Sequence, residues 1–284
     1  MLHLVVEMSW IKYHHTIISN FPPHYEIQKK DIEIAKRMMK ENKALLVRYT
    51  SNFDCKCETE WWYLIKDMPD DVNNLKSKDK YEIIKGIKRN TARQIDPQKY
   101  KNELYNVYYK AFSRYKKNDV PIRKEKFIEG LIIDKNNPGI EYFGVFSNKN
   151  RELVGYSKNI LNDDYVSYST IKFNPNYLSD GCSTALFYAM NNYYLVELKK
   201  KYVLDGERSI RHETNIQEYL EKYFKFRRAY CKLNIIYNPL FEIVIKILYP
   251  FEHFFLILNK YINSKIINNV YSMLYQEKIR RKCL

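Results

Sequence analysis

Cysteine is sparse and irregular: Cys55, Cys57, Cys182, Cys231 and Cys283, five in all, form neither a disulfide framework nor a four-ligand zinc pattern. Cys55-Lys56-Cys57 has no second pair within ligand spacing and reads as a loop tip, so no metal is expected and reduced, cytoplasmic thiols fit. No secretory signal opens the sequence, because Glu7, Lys12 and two histidines follow the apolar Met1–Val6 too closely. No run is apolar enough to span a bilayer: Ile235–Ile262 is broken by Pro239, Glu242, Lys246, Pro250, Glu252 and Lys260. No internal repeat is visible.

What the chain does have is size, apolar content and positive charge. Its 284 residues suffice for one large domain or two modest ones. Hydrophobic residues at 45% and charged residues at 29% describe a globular protein, not a disordered one. The net charge of +15 would attract phosphate on nucleic acid, a nucleotide cofactor or an anionic lipid surface. A lysine-heavy coding bias, with Ile, Asn and Tyr abundant and glycine scarce, explains the same charge without any partner.

Periodicity predicts a helix over 27–42, with Ile32, Ala35, Met38 and Met39 at helical spacing. Two strands, 44–53 and 60–67, follow as a hairpin rich in Val, Tyr and Trp. Helices are expected over 78–91, 97–116 and 125–132. From Ile140 the period changes: 140–147, 152–159 and 165–173 read as three meandering strands. A helix over 183–200, a strand over 202–205, a helix over 214–223 and a strand over 229–237 complete a mixed α/β sheet.

Two stretches carry chemistry. After the strand ending at Phe173, Asn174-Pro175 leads through Asp180-Gly181 into a helix capped by Ser183 or Thr184. Such a strand–loop–helix turns free N–H groups and a positive helix end toward one spot, where pyrophosphate binds; an ordinary capped helix has the same signature. The strand ending at Leu204 then runs into Asp205, Glu207, Arg208, Arg211, His212 and Glu213. Ligands collect beyond the carboxyl ends of strands in open α/β sheets, although a solvated charged loop reads alike.

This order of elements resembles the GNAT N-acyltransferase superfamily over roughly residues 140–237. In the segment 214–226, Asn215 takes the place of the superfamily's helix-leading asparagine and Phe226 that of its closing phenylalanine, with Lys225 where glycine is usual. Asp180-Gly181-Cys182-Ser183 is a reduced form of the Arg/Gln-x-x-Gly-x-Gly/Ala pyrophosphate signature, and Glu221, flanked by Tyr219 and Tyr223, falls near the general-acid tyrosine. The basic stretch 76–89, preceded by Trp61-Trp62, is similar to a helix of Fem-type peptidoglycan aminoacyltransferases and their polysaccharide-cluster relatives, which are tandem or extended GNAT folds.

The resemblance implies an α/β, GNAT-like acyltransferase with an N-terminal helix-plus-hairpin extension (1–118), a catalytic domain (119–238) and a helical tail (239–284). It implies transfer of an acyl group from acyl-CoA, chiefly acetyl-CoA, to an amine acceptor such as an amino sugar of a surface polysaccharide. The alternatives are Fem-like transfer from aminoacyl-tRNA and a non-catalytic RNA-binding or membrane-associated module.

His212 beside Glu213 is the candidate base, with Tyr219 as a further catalytic residue. Phe173, Asn174, Asp180, Gly181, Cys182, Ser183, Thr184 and Asn215 are expected to hold the donor, and Asp205, Glu207, Arg208 and Trp62 the acceptor. The tail carries two aromatic helices, 240–248 and 251–262, hinged at Tyr249-Pro250, and a basic end at Lys278, Arg280, Arg281 and Lys282. It suits an anionic membrane at the inner face of the cell, packing on the sheet, or pairing of two subunits.

Overall fold

The computed structural model describes residues 9–112, 120–210, 216–262 and 264–282. In chain order the elements are β1 (Trp10–Tyr13), β2 (Thr16–Ser19), α1 (Lys29–Glu41), β3 (Leu46–Ser51), β4 (Trp62–Lys66), α2 (Ser77–Arg89), β5 (Asn90–Ile95), α3 (Lys101–Phe112) and α4 (Lys124–Lys135). They continue with β6 (Ile140–Ser147), β7 (Leu153–Leu161), β8 (Tyr165–Phe173), α5 (Cys182–Asn191), β9 (Tyr202–Glu207), α6 (Ile216–Phe224), β10 (Arg227–Tyr230) and β11 (Lys232–Tyr237). Three helices close the chain: α7 (Pro239–Leu248), α8 (Glu252–Tyr261) and α9 (Lys265–Lys282). One sheet has the order β1-β2-β3-β11 and the other β10-β4-β9-β8-β7-β6-β5. The chain divides into two compact units, one of residues 1–63, 207–213 and 228–284, the other of 64–206 and 214–227.

In the first unit the alternation of side chains along a strand sorts β3 between two cores. Val47 packs with Trp10, Ile17, Ala35 and Met39, under α1. Its neighbour Leu46 packs with Trp61, Leu233, Ile235 and Ile279 on the other side. Helix α9 is fixed there by a buried carboxylate: Glu277 accepts from Tyr237 Oη at 2.9 Å and pairs with Arg280 and Arg281, each at 2.8 Å. Burial alone would raise the Glu277 pKa, but these donors outweigh it and hold the group below its ordinary value.

In the second unit β5–β8 form an antiparallel run, and β9 joins β8 in parallel. Helix α5 is apolar around most of its circumference, which is the pattern of a helix buried on more than one side. Leu186, Phe187 and Met190 are accordingly inaccessible and pack with Val145, Val154 and Val166 of the sheet. Each such side chain contributes about 1.5–3 kcal/mol by leaving water.

Two expectations are corrected. Strands β3 and β4 do not form a hairpin: they belong to different sheets, because β3 finds β2 and β11 as neighbours. The single strand expected over 229–237 is two, β10 and β11, each in a different sheet, broken at Cys231. Strands β1, β2 and β5 were not expected; β5, Asn-Thr-Ala-Arg-Gln-Ile, owes its extended form to pairing with β6 rather than to apolar alternation. The helix expected over 183–200 ends as a wider π-type turn at Asn192–Glu197.

Candidate active site

Strands β8 and β9 begin as neighbours and then cease to pair. Their register runs Tyr165–Tyr202, Val166–Val203 and Ser167–Leu204, and among the described residues it ends there. The cause is visible on the other edge of β8, where Lys158 opposes Thr170 and Asn159 opposes Tyr168, leaving Ser169 as an extra residue. A bulge of this kind bends its strand. Beyond it, the backbone groups of β8 that would face β9 need another partner, since unpaired N–H and C=O groups are costly when kept from water. Tyr168 and Asp205 are the first residues past the last pair, at the apex of the opening.

Asp205 is half-buried, and burial pushes its pKa up to about 7. Tyr168 is buried, and the same cause, reinforced by the nearby oxygens of Tyr194, Asp70 and Asp205, lifts its hydroxyl well above the ordinary value, so it stays protonated. Its proton goes to Asn191 Oδ1 at 2.8 Å, and Asn191 Nδ2 donates to Asp70 Oδ2 at 2.9 Å. The other Asp70 oxygen meets Lys66 Nζ at 3.0 Å, and Lys66 also donates to the Phe224 carbonyl at 2.8 Å. That carbonyl is an unpaired acceptor at the negative end of α6, a natural seat for an ammonium. Burial raises Asp70 above its ordinary value, with Lys66 and Asn191 pulling it back.

A second chain lies behind the first. Ser157 Oγ donates to Asn159 Oδ1 at 2.6 Å, Asn159 Nδ2 donates to Tyr194 Oη at 3.0 Å, and Tyr194 donates to Glu141 Oε2 at 2.9 Å. The rings of Tyr168 and Tyr194 are 6.2 Å apart. Every hydroxyl and amide named here has a partner, which in a low-dielectric interior fixes the orientation of each group.

The turn expected to receive a donor's phosphates is braced from the protein side. Gly181 starts α5 with φ 75°, in the left-handed region, and a Cβ there would lie 2.8 Å from Gly86 Cα of α2. A Cβ on Gly86 would in turn fall 2.0 Å from Thr184 Oγ1 and 2.6 Å from the Gly181 carbonyl. Asp180, just before the helix start, pairs with Arg89 at 2.7 Å, and its carbonyl accepts from Asn90 Nδ2 at 2.9 Å.

Gly181, Cys182 and Thr184 are buried, as is Asn174, which caps the short helical turn after β8 by accepting from Asn176 N at 3.2 Å. Burial pushes the Cys182 thiol up to about 12, so it is no nucleophile. Phe173 packs on the core. Ser183, partly exposed, accepts from Tyr219 Oη at 3.0 Å, so two residues expected in the site meet. Burial raises the Tyr219 hydroxyl far above its ordinary value.

Trp62, Glu207 and Arg208 lie in the first unit. Arg208 stands 4.6 Å over the Trp62 ring, donates to the Glu60 carbonyl and reaches Tyr275 Oη at 3.0 Å, while Glu207 pairs with Arg48 at 2.6 Å. His212, Glu213 and Asn215 lie outside the described residues. Among those described, no three His, Cys, Asp or Glu side chains gather to hold a metal ion.

Lys66, Asp70 and Asn191 did not emerge from sequence patterns as site residues. The signal available was a lysine in the apolar strand Trp-Tyr-Leu-Ile-Lys and an asparagine closing the apolar run Ala-Leu-Phe-Tyr-Ala-Met of α5.

Lys225, standing where the resemblance has glycine, adopts φ 52° just past the end of α6. That position terminates a helix in the left-handed region, where a side chain is disfavoured. Lys225 is exposed, so Lys225→Gly is expected to stabilise the fold by about 0.5–1 kcal/mol in urea titration; a loss of stability would contradict this account of the turn.

No protein-family model matches the chain, and no curated protein matches it. Solved structures do. The crystal structure of FemX is 8% identical, covers 78% of this chain and 81% of that one, and superposes with a TM-score of 0.54. L-PGS from Bacillus licheniformis is 13% identical, with 81% and 79% covered and a TM-score of 0.48. A tandem GNAT protein from the clavulanic acid biosynthesis pathway is 11% identical, with 78% and 74% covered and a TM-score of 0.42. The likeness to FemX, together with the meander β6–β8, helix α5 and the parallel strand β9, defines a mixed α/β fold of the GNAT-like kind.

Proposed function

We propose that the chain is a transferase that moves an acyl group to an amine at the opening between β8 and β9. The observation that carries the reading is the end of pairing at Ser167–Leu204, with Asp205 and Tyr168 next in line. An extended donor can supply the missing backbone partners of β8 and bring its carbonyl to the apex. The amine attacks that carbonyl and gives its proton to Asp205, which at a pKa of about 7 is half ionised at neutral pH and well matched to the task. An amide of β8 beyond Tyr168 holds the oxyanion. Collapse releases the ester or thioester leaving group, which takes a proton in turn.

The donor read here is an aminoacyl ester on tRNA, as in the Fem-type enzymes that the sequence resembles. Gly86 packs into the first turn of α5 and Asp180 already supplies an anion before it, which leaves little room for a pyrophosphate there. The net charge of +15 suits a polyanionic donor. Acyl-CoA remains the second reading, favoured by the partly exposed Ser183 at the same turn, with an amino sugar of a surface polysaccharide as acceptor.

Titration calorimetry with acetyl-CoA, beside a filter-binding assay with aminoacyl-tRNA, separates the two readings. Salt-sensitive binding of aminoacyl-tRNA and no heat with acetyl-CoA are expected. The reverse result selects acyl-CoA, and binding of neither donor defeats the transferase reading.

A further inference from the structure

Helices α7 and α8 leave an unusual amount of apolar surface uncovered. At about 100° per residue, the circumference of α7 divides into three arcs. Phe241 and Ile245 face the core, Ile245 being 3% exposed. Glu242 and Lys246 occupy a second arc, paired at 2.8 Å. Leu240, Ile243, Val244 and Ile247, at i, i+3, i+4 and i+7, occupy the third, and are 78, 55, 43 and 61% exposed.

Helix α8 repeats the pattern: Phe254, Ile257 and Tyr261, at i, i+3 and i+7, are exposed, and no residue of α8 is fully buried. The turn between the helices adds Phe251, 56% exposed. Neither helix can span a bilayer: ten residues reach about 15 Å, half the hydrocarbon thickness.

The charge around these stripes selects the occupant. Arg280 and Arg281 are bound to Glu277, Lys278 to Glu252 and Lys282 to Glu60. Lys260, three residues after Ile257 on α8, and Lys265, at the start of α9, are exposed, and the segment 239–282 carries seven Lys and Arg against three Glu. A second copy docked face to face would set these lysines against themselves. An anionic lipid surface takes both the apolar stripe and the lysines.

We infer that α7 and α8 lie in the plane of an anionic bilayer surface, with Ile243, Ile247, Phe254 and Ile257 among the acyl chains and Lys260 and Lys265 at the head groups. This inference does not depend on the transferase reading, and its test reads lipid binding alone. The full chain is sedimented with vesicles of phosphatidylcholine, or of phosphatidylcholine with about one third phosphatidylglycerol. Binding at least about tenfold tighter to the anionic vesicles is expected, weakened by high salt.

The variant Ile247→Glu/Phe254→Glu, altered at exposed positions, is expected to keep its melting temperature and to bind at least about tenfold more weakly. Two results overturn the proposal: anionic vesicles that leave the protein in the supernatant, or a variant that binds as well as the parent. So does a dimer that the double variant dissociates while vesicle binding is absent, since it would assign the stripes to a second copy.

Discussion

Replacing Asp205 with asparagine is expected to lower kcat/KM for acyl transfer by about 10²- to 10⁴-fold, the range supplied by a positioned proton acceptor. The parent's rate should rise with pH through an apparent pKa near 7, the value to which burial lifts Asp205, and that inflection should vanish in the variant. Stability should move the other way. In the unfolded chain the carboxyl titrates near its ordinary value of about 3.9, so ionising it costs more in the fold than outside it. The native protein therefore loses stability as pH rises from about 4 to about 7, and the loss levels off above. Asp205→Asn should melt higher than the parent at pH 8 and no higher at pH 4. A variant that loses activity and stability together at pH 8 would mark Asp205 as a structural group and defeat its role as base.

Lys66→Met is expected to cost about 3–5 kcal/mol, a large part of the usual stability of a domain, because it strands the buried Asp70 carboxylate without its cation. It also removes the donor to the Phe224 carbonyl, worth about 1 kcal/mol. Adding Asp70→Asn removes the stranded charge and retains an acceptor for Asn191, so the double variant should be more stable than Lys66→Met alone. Denaturant titration of the four members of this cycle checks the claim. An Asp70→Asn change that shifts stability equally in the parent and in Lys66→Met would show that Lys66 and Asp70 are not coupled.

The order of elements from β6 to β9 was legible because each announced itself locally. The strands β6, β7 and β8 are rich in Val, Ile, Tyr and Phe, their turns are rich in Asn and Asp, and Gly181 precedes α5. Asp205 stood out in the sequence because it follows an apolar strand directly, although the burial that raises its pKa is not revealed by spacing. What stayed hidden depends on distant partners. No local pattern tells that β3 pairs with β11 instead of β4, or that Cys231 separates two strands destined for different sheets. Nor does any spacing join Lys66, Asp70, Tyr168 and Asn191, whose hydrogen bonds reach as far as 158 positions along the chain. The close contact between Gly86 and Gly181 is hidden for the same reason: it is set by how two helices meet.

The pairing of β3 with β11 bears on how the protein is made. Asn234 donates to Ser51 across 183 positions, so the third strand of that sheet waits for its partner until most of the polypeptide has left the ribosome. During that interval β3 presents a bare edge with Val47 and Leu46 beside it, the kind of surface that invites pairing with a neighbouring nascent chain. The intervening segment 64–206 can begin to condense meanwhile, before β11 reaches β3. An edge of β3 left open until β11 is synthesised is the physical consequence of that connection.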